Sequence, residues 1–313
     1  MKTYTSLSLL LMAGIACPAY AQCDTPQKSC CGKNTDAYIK LYDHHNKHPR
    51  INSITYPGDA NNLDMYNSIY GHGAVIENPW VAYRVYMDNR QSLDLYVKQV
   101  PQTELDITGF YTTPEQMSQG YGCDVLWAGK SVAAGSFRGW DGKNPLTIDS
   151  VASRSQTVPD RKTVVVKDEN WNYNGHDIDM TQKYTVCGNS RDLDVEITLE
   201  GYSPDDLFCT GIQKLEMKNQ GFIKPEGYAA SWGENIPDKN HPELVEGVGL
   251  GIIVAPENIV KTIEDDLNYL VIVRPDNNGK IRYKVIATGS REKNGFKSYK
   301  EWADYITGRF KNK

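Results

Sequence analysis

Between Trp80 and Lys98 the chain alternates apolar and polar side chains with a period of two, interrupted only by a polar turn. Val81, Tyr83, Val85 and Met87 alternate with Trp80, Ala82, Arg84 and Tyr86, and Leu93, Leu95 and Val97 alternate with Asp94, Tyr96 and Lys98. Successive side chains of a strand point to opposite faces, so this pattern specifies a hairpin with one apolar and one mixed face. Pairing Met87 with Leu93 and Val85 with Leu95 keeps the apolar residues on one side. It sets Tyr86 beside Asp94, Arg84 beside Tyr96 and Ala82 beside Lys98. The mixed face then carries Arg84, Tyr86, Asp94, Tyr96 and Lys98, with His72 a short loop away in Tyr70-Gly71-His72-Gly73. Such a face is either an ordinary solvated sheet surface or a surface for a polar ligand.

Short strands continue along the chain, at 163–166, 184–187, 193–199, 212–217, 249–255, 269–273 and 281–287. Leu193, Val195, Ile197 and Leu199 alternate with Asp194, Glu196, Thr198 and Glu200, a strand with one wet face. Asp276-Asn277-Asn278-Gly279 is a hairpin turn. A helical period enters only near the end, where Ser298 and Glu301 are spaced as a capping box and Trp302, Tyr305, Ile306 and Phe310 share one stripe. No internal repeat and no linker rich in proline, glycine or serine divides the chain. The pattern predicts a polar arm over 22–55 and then a single all-β domain over 56–313. That domain is a large antiparallel β-sandwich with its C-terminal helix packed outside a sheet.

Lys2, the apolar run Leu7 to Ile15 and Ala19-Tyr20-Ala21 follow the order of a cleavable signal peptide. The run is too short to span a hydrocarbon core of roughly 30 Å as a helix. Removal of residues 1–21 predicts an exported protein, periplasmic or secreted, with no membrane span. Gly14-Ile15-Ala16 before Cys17 lacks the leucine of a lipoprotein box, which disfavours lipid anchoring. Cys23, Cys30, Cys31, Cys123, Cys187 and Cys209 would remain, in an oxidising compartment that permits disulfides. Their spacings match neither a zinc ribbon nor a redox pair, which favours structural roles.

A net charge of −5 with no compensating Lys/Arg cluster argues against a nucleic-acid partner. Ala128-Gly129-Lys130-Ser131 ends like a phosphate loop, but Asp124 stands where that loop needs glycine. Gly247-Val248-Gly249-Leu250-Gly251 lacks the strand–helix crossover of a dinucleotide site. No nucleotide cofactor is expected. Ser131 is not in a nucleophile elbow. His44, His45 and His48 have no carboxylate or cysteine at a matching offset, and Asn170–Gly175 fails as a calcium loop because Thr181 takes the glutamate position. No metal is expected. Twenty tyrosines against six phenylalanines are compatible with sugar binding, since tyrosine combines an apolar body with a polar tip.

Several segments taken together resemble a family of exported bacterial proteins long catalogued as a domain of unknown function. They are Tyr70-Gly71-His72-Gly73, Tyr83-Arg84-Val85-Tyr86 with Asp88-Asn89-Arg90, and Leu93-Asp94-Leu95-Tyr96-Val97-Lys98. Gly120-Tyr121-Gly122, Cys209-Thr210-Gly211-Ile212-Gln213-Lys214-Leu215, Trp232-Gly233 and Gly247-Val248-Gly249-Leu250 also fit. The resemblance runs from about residue 60 to the C-terminal helix. It implies a β-sandwich of the galactose-mutarotase type and dehydration of uronic-acid-ended oligosaccharides from ulvan-like glycans. In the family pattern glycine often precedes the lysine; this chain has Val97, which leaves the local shape beside Lys98 open.

That chemistry would form a 4,5-unsaturated uronic acid by removing the C5 proton and expelling the C4 group. A cation or a hydrogen-bond donor must first disperse the charge of the neighbouring carboxylate. Arg84 suits this as a bidentate donor and Lys98 as a point charge. His72 suits the base, and Tyr96 or Tyr86 the acid. Tyr86, Arg90, Asp94 and Trp232 are candidates for substrate binding. Blander roles compete: His72 could cap a turn, Arg84 could pair with Asp94, and Trp232 suits a core better than a sugar platform. His176 ranks below His72 as a base. The expected partner is an acidic oligosaccharide, and the rival functions are non-catalytic glycan binding and a mutarotase-like epimerase.

Overall fold

The computed structural model describes residues 34–45, 47–58 and 68–312. The segment expected to be a signal peptide, with Cys17, and Cys23, Cys30 and Cys31 lie outside the described residues. Among those described, twenty strands form three antiparallel sheets of six, nine and five strands, none closed into a barrel. The fold is an open β-sandwich with a C-terminal helix, Tyr299–Lys311.

The nine-stranded sheet is the platform. It runs from the edge strand Met217–Lys224 through Tyr228–Asn235, Glu246–Val254, Lys280–Gly289, Asp192–Glu200, His176–Val186, Thr163–Tyr173 and Ser153–Asp160 to Ser53–Pro57. The two smaller sheets pack against it. Strand Gly73–Glu77 of the six-stranded sheet meets Ser153–Asp160 and Thr163–Tyr173, and strand Phe208–Gln213 of the five-stranded sheet meets Tyr228–Asn235 and Glu246–Val254. Alternation along each strand sends one set of side chains inward, so Val85 and Leu95, Val195 and Ile197, and Phe208 and Val271 join one continuous core.

The helix covers part of the platform's other face. Ser298 caps it by accepting the Glu301 N–H at 3.3 Å, and Trp302 and Ile306 are fully buried. The indole N–H of Trp302 donates to the Leu250 carbonyl at 2.9 Å. The alternating glycines of Gly247-Val248-Gly249-Leu250-Gly251 explain how the helix comes so close. A Cβ on Gly249 would lie 2.9 Å from the Trp302 ring, and one on Gly251 2.4 Å from the Ile306 Cδ1. An indole cannot yield as a flexible chain end can, so Gly249→Val should cost about 1–3 kcal/mol by overpacking, read in a denaturant melt. Gly251→Ala should cost less, because only the tip of Ile306 must move.

Two expectations need correction. The hairpin exists, but its register is shifted by two residues: Val85 pairs with Leu93, Tyr83 with Leu95, Arg84 with Asp94 and Ala82 with Tyr96. The cause is the turn. Asp88 accepts the N–H groups of Arg90 and Gln91 at 3.0 and 3.2 Å, and the Met87 N–H goes to the His72 carbonyl instead of to the partner strand. A shift of two keeps each side chain on its expected face. The segment read as a polar arm is also partly built into the sheets. Asp36–Lys40 pairs with Gly73–Glu77, burying Ala37, Tyr38 and Ile39, and Ser53–Pro57 pairs with Ser153–Asp160.

Candidate active site

The mixed face of the hairpin is neither solvated nor open along its length. Residues 99–122 fold over it, with the short helices Leu105–Thr108 and Pro114–Ser118, and bury most of it. Leu105 and Phe110 of this cover pack with Tyr38, Ala82 and Tyr96.

Lys98 fastens the cover. Its ammonium donates to Glu77 Oε2 at 2.6 Å, the Asn78 carbonyl at 2.6 Å and the Gln102 carbonyl at 2.7 Å. These use all three lysine donors. Glu77 also accepts the N–H groups of Glu104 and Leu105 at 3.1 and 3.3 Å, and Glu104 accepts the Gly122 N–H at 2.7 Å. Burial pulls the Lys98 pKa down and lifts that of Glu77, while their mutual attraction opposes both shifts.

Arg84 is the centre of the other end. It is 1% exposed, directly across from Asp94, with which it forms an ion pair. Its Nη1 donates to the Tyr111 hydroxyl at 2.8 Å, and its Nη2 donates to the Tyr86 hydroxyl at 2.9 Å and to Asp124 Oδ2 at 3.3 Å. The guanidinium carbon lies 4.2 Å from the ring centre of Phe110 and 4.9 Å from those of Tyr86 and Tyr111, so aromatic rings enclose the cation. Burial works against this charge, but the Asp94 carboxylate keeps the Arg84 pKa above the ordinary arginine value. Tyr86 also donates to Asp94 at 3.0 Å, and burial, then the Asp94 charge, raise its phenol pKa.

A pocket of about 680 Å³ opens above this cluster, lined by Tyr42, His44, Ile69, Tyr70, Gly71, His72 and Tyr111. Its volume falls within the usual range for small-ligand sites. Tyr42 and Tyr111 are 49% and 55% exposed, forming an open rim. His48 stacks on Tyr70 with ring centres 3.8 Å apart. His72 follows Gly71, and both hold left-handed backbone conformations, with φ of 71° and 75°. This tight turn presents the imidazole to the pocket, with its ring centre 6.1 Å from that of Tyr86. Gly71 lies over Arg84: a Cβ there would sit 3.9 Å from its Cδ.

The sequence candidates thus separate. His72, Arg84, Tyr86 and Asp94 come together at or under the pocket. Arg90 is outside the pocket lining, bound to the Asp88 carboxylate through Nε at 2.8 Å, with its guanidinium 5.7 Å from the Tyr86 ring centre. Tyr96 and Lys98 share the sheet face but lie under the cover; the Tyr96 hydroxyl accepts from Thr112 at 2.9 Å, and burial raises its pKa. Trp232 is elsewhere, 8% exposed in the cluster beneath the C-terminal helix. His176 starts a strand of the nine-stranded sheet and is itself exposed.

Sequence reasoning missed Asp124, Phe110 and Tyr111 around Arg84, and Tyr42, His44 and Tyr70 around the pocket. Their signals were present but local. Asp124 stood out only as the residue that breaks a phosphate loop, and His44 only within a histidine run. Among the described residues no group of three or more His, Cys, Asp or Glu side chains is arranged to hold a metal ion. Nor is any described helix long and apolar enough to cross a membrane. No curated protein matches the chain. A family model does match, over residues 20–312, and the chain belongs to that family, described as a domain of unknown function (DUF4861).

Proposed function

We propose that this protein is an exported carbohydrate-active lyase or dehydratase that forms a 4,5-unsaturated uronic acid by β-elimination on acidic oligosaccharides. The observation that carries the reading is the pocket itself: imidazoles and phenols line it, and a buried guanidinium lies under its floor. Tyrosine rings suit the apolar faces of sugars, and their hydroxyls suit the sugar oxygens. The family resemblance noted from the sequence motifs points to the same chemistry.

In this reading His72 removes the C5 proton and the electron pair of that bond becomes the C4–C5 double bond. The C4 oxygen leaves with its bonding pair and takes a proton from the Tyr111 hydroxyl. The Tyr111 oxygen accepts from Arg84, so its own O–H is left to donate into the pocket. Proton transfer through solvent from His72 to Tyr111 then resets the site. Arg84 acts through Tyr111 and Tyr86 as a positioning residue, and Lys98 acts by holding the cover that carries Tyr111.

The test is incubation with a panel of uronic-acid-ended oligosaccharides, following the absorbance of the unsaturated product. His72→Ala and Tyr111→Phe should each lower turnover by about 10²–10⁴-fold. An intact protein that binds members of a broad acidic panel without any gain in absorbance is not a lyase. One observation favours a second reading, non-catalytic glycan binding. Both terminal nitrogens of Arg84 already serve protein acceptors, and no donor of Lys98 is left over for a substrate carboxylate. Under that reading His72→Ala changes affinity and there is no turnover to lose.

A further inference from the structure

Asp94 and Asp124 converge on one nitrogen, Nη2 of Arg84, from adjacent strands of the six-stranded sheet. Asp94 is 2% exposed and the Asp124 side chain 18% exposed. The groups that face this pair are few. Arg84 and Tyr86 come from the neighbouring strand and Tyr111 from the cover. Two carboxylates beside one guanidinium leave a net negative charge unless one of them carries a proton. In a buried site two carboxylates that share one guanidinium nitrogen cannot both ionise cheaply.

We propose that Asp94 and Asp124 hold one proton between them at neutral pH, and that this proton makes Asp124 the residue that decides whether the pocket accepts an anion. Asp94 keeps the ion pair with Arg84, because it also receives the Tyr86 hydroxyl and the Leu95 N–H at 3.0 Å each. Asp124 has one weak backbone donor, the Leu126 N–H at 3.4 Å, so the proton rests mainly there. Burial, then the Asp94 charge, push the Asp124 carboxyl pKa well above its ordinary value, in line with this arrangement. With the proton in place the cluster of Arg84, Asp94 and Asp124 is neutral. Its loss leaves one negative charge under the pocket floor and gives Arg84 a second ionised partner to follow, away from Tyr111.

The anion-selecting half rests on the acidic-ligand reading above; the shared proton does not. Infrared difference spectra of the protein should show the carbonyl band of a protonated carboxyl at neutral pH. Asp124→Asn should remove it, and titration of the wild type to higher pH should bleach it. Affinity for a uronic-acid oligosaccharide should fall by up to about tenfold per pH unit once the proton leaves, as one linked proton dictates. Its neutral methyl ester should show no such fall, and Asp124→Asn should abolish the fall for the acid. Absence of a band that both Asp124→Asn and high pH remove overturns the shared proton. The band without any pH-dependent preference for acid over ester overturns the anion selection alone. If neither acid nor ester binds while the band is present, the acidic-ligand reading falls and the anion selection falls with it.

Discussion

Lys98→Met should destabilise the protein by about 3–5 kcal/mol, because it strands the Glu77 carboxylate in a buried site. The substitution keeps most of the side-chain volume, so the loss reads out charge and hydrogen bonding and not a cavity. Two carbonyls, of Asn78 and Gln102, lose their partner at the same step. The second of these lies in the cover, so residues 99–122 should become the first site of limited proteolysis. Glu77→Gln added to Lys98→Met should recover part of the loss by removing the stranded charge; the amide oxygen can accept from only one of the Glu104 and Leu105 N–H groups, which meet different Glu77 oxygens. Denaturant melts of the two single variants and the double variant decide the matter. A Lys98→Met protein of unchanged stability that has lost turnover would instead mark Lys98 as a direct participant in chemistry.

The fold was legible where periodicity acts locally. Alternation marked the strands around Arg84 and around Leu193, and it placed Arg84, Tyr86, Asp94, Tyr96 and Lys98 on one face. It did not carry the register, which depends on how Asp88 gathers the turn's N–H groups, nor the sheet to which a strand belongs. The apolar run from Ile212 to Met217 reads as one strand, yet Phe208–Gln213 lies in the five-stranded sheet and Met217–Lys224 in the nine-stranded one. The site was less legible for the same reason. Arg84 is recognisable as a charged residue in an amphipathic strand, but its partners Tyr111 and Asp124 lie 27 and 40 positions away. Folding of the cover onto the sheet brings Tyr111 there, and pairing of Cys123–Asp124 beside Leu93–Val97 brings Asp124. Trp232 illustrates the reverse case. Its alternation with Ser231 and Gly233 is plain, but whether a helix or a ligand covers its face is decided by Trp302 and Ile306, far later in the chain.

Arg84→Lys should prove far from conservative. The guanidinium meets Tyr111 through one terminal nitrogen and Asp94, Tyr86 and Asp124 through the other, which a single ammonium cannot reproduce. Attraction to the buried Asp94 carboxylate should draw the lysine to that side and leave the Tyr111 hydroxyl without its donor. Tyr111, at the exposed rim, then loses its orientation, and turnover should fall by about 10²–10³-fold, the usual cost of removing a group that positions or stabilises charge at the reacting centre. Stability should fall less than in Arg84→Met, where the unpaired carboxylate costs about 3–5 kcal/mol. If Arg84 acts through Tyr111, the effects will not add: Arg84→Lys combined with Tyr111→Phe should turn over no more slowly than Tyr111→Phe alone. Full additivity of the two losses would mean that Arg84 meets the substrate by a route of its own, and that the cover over it opens during binding.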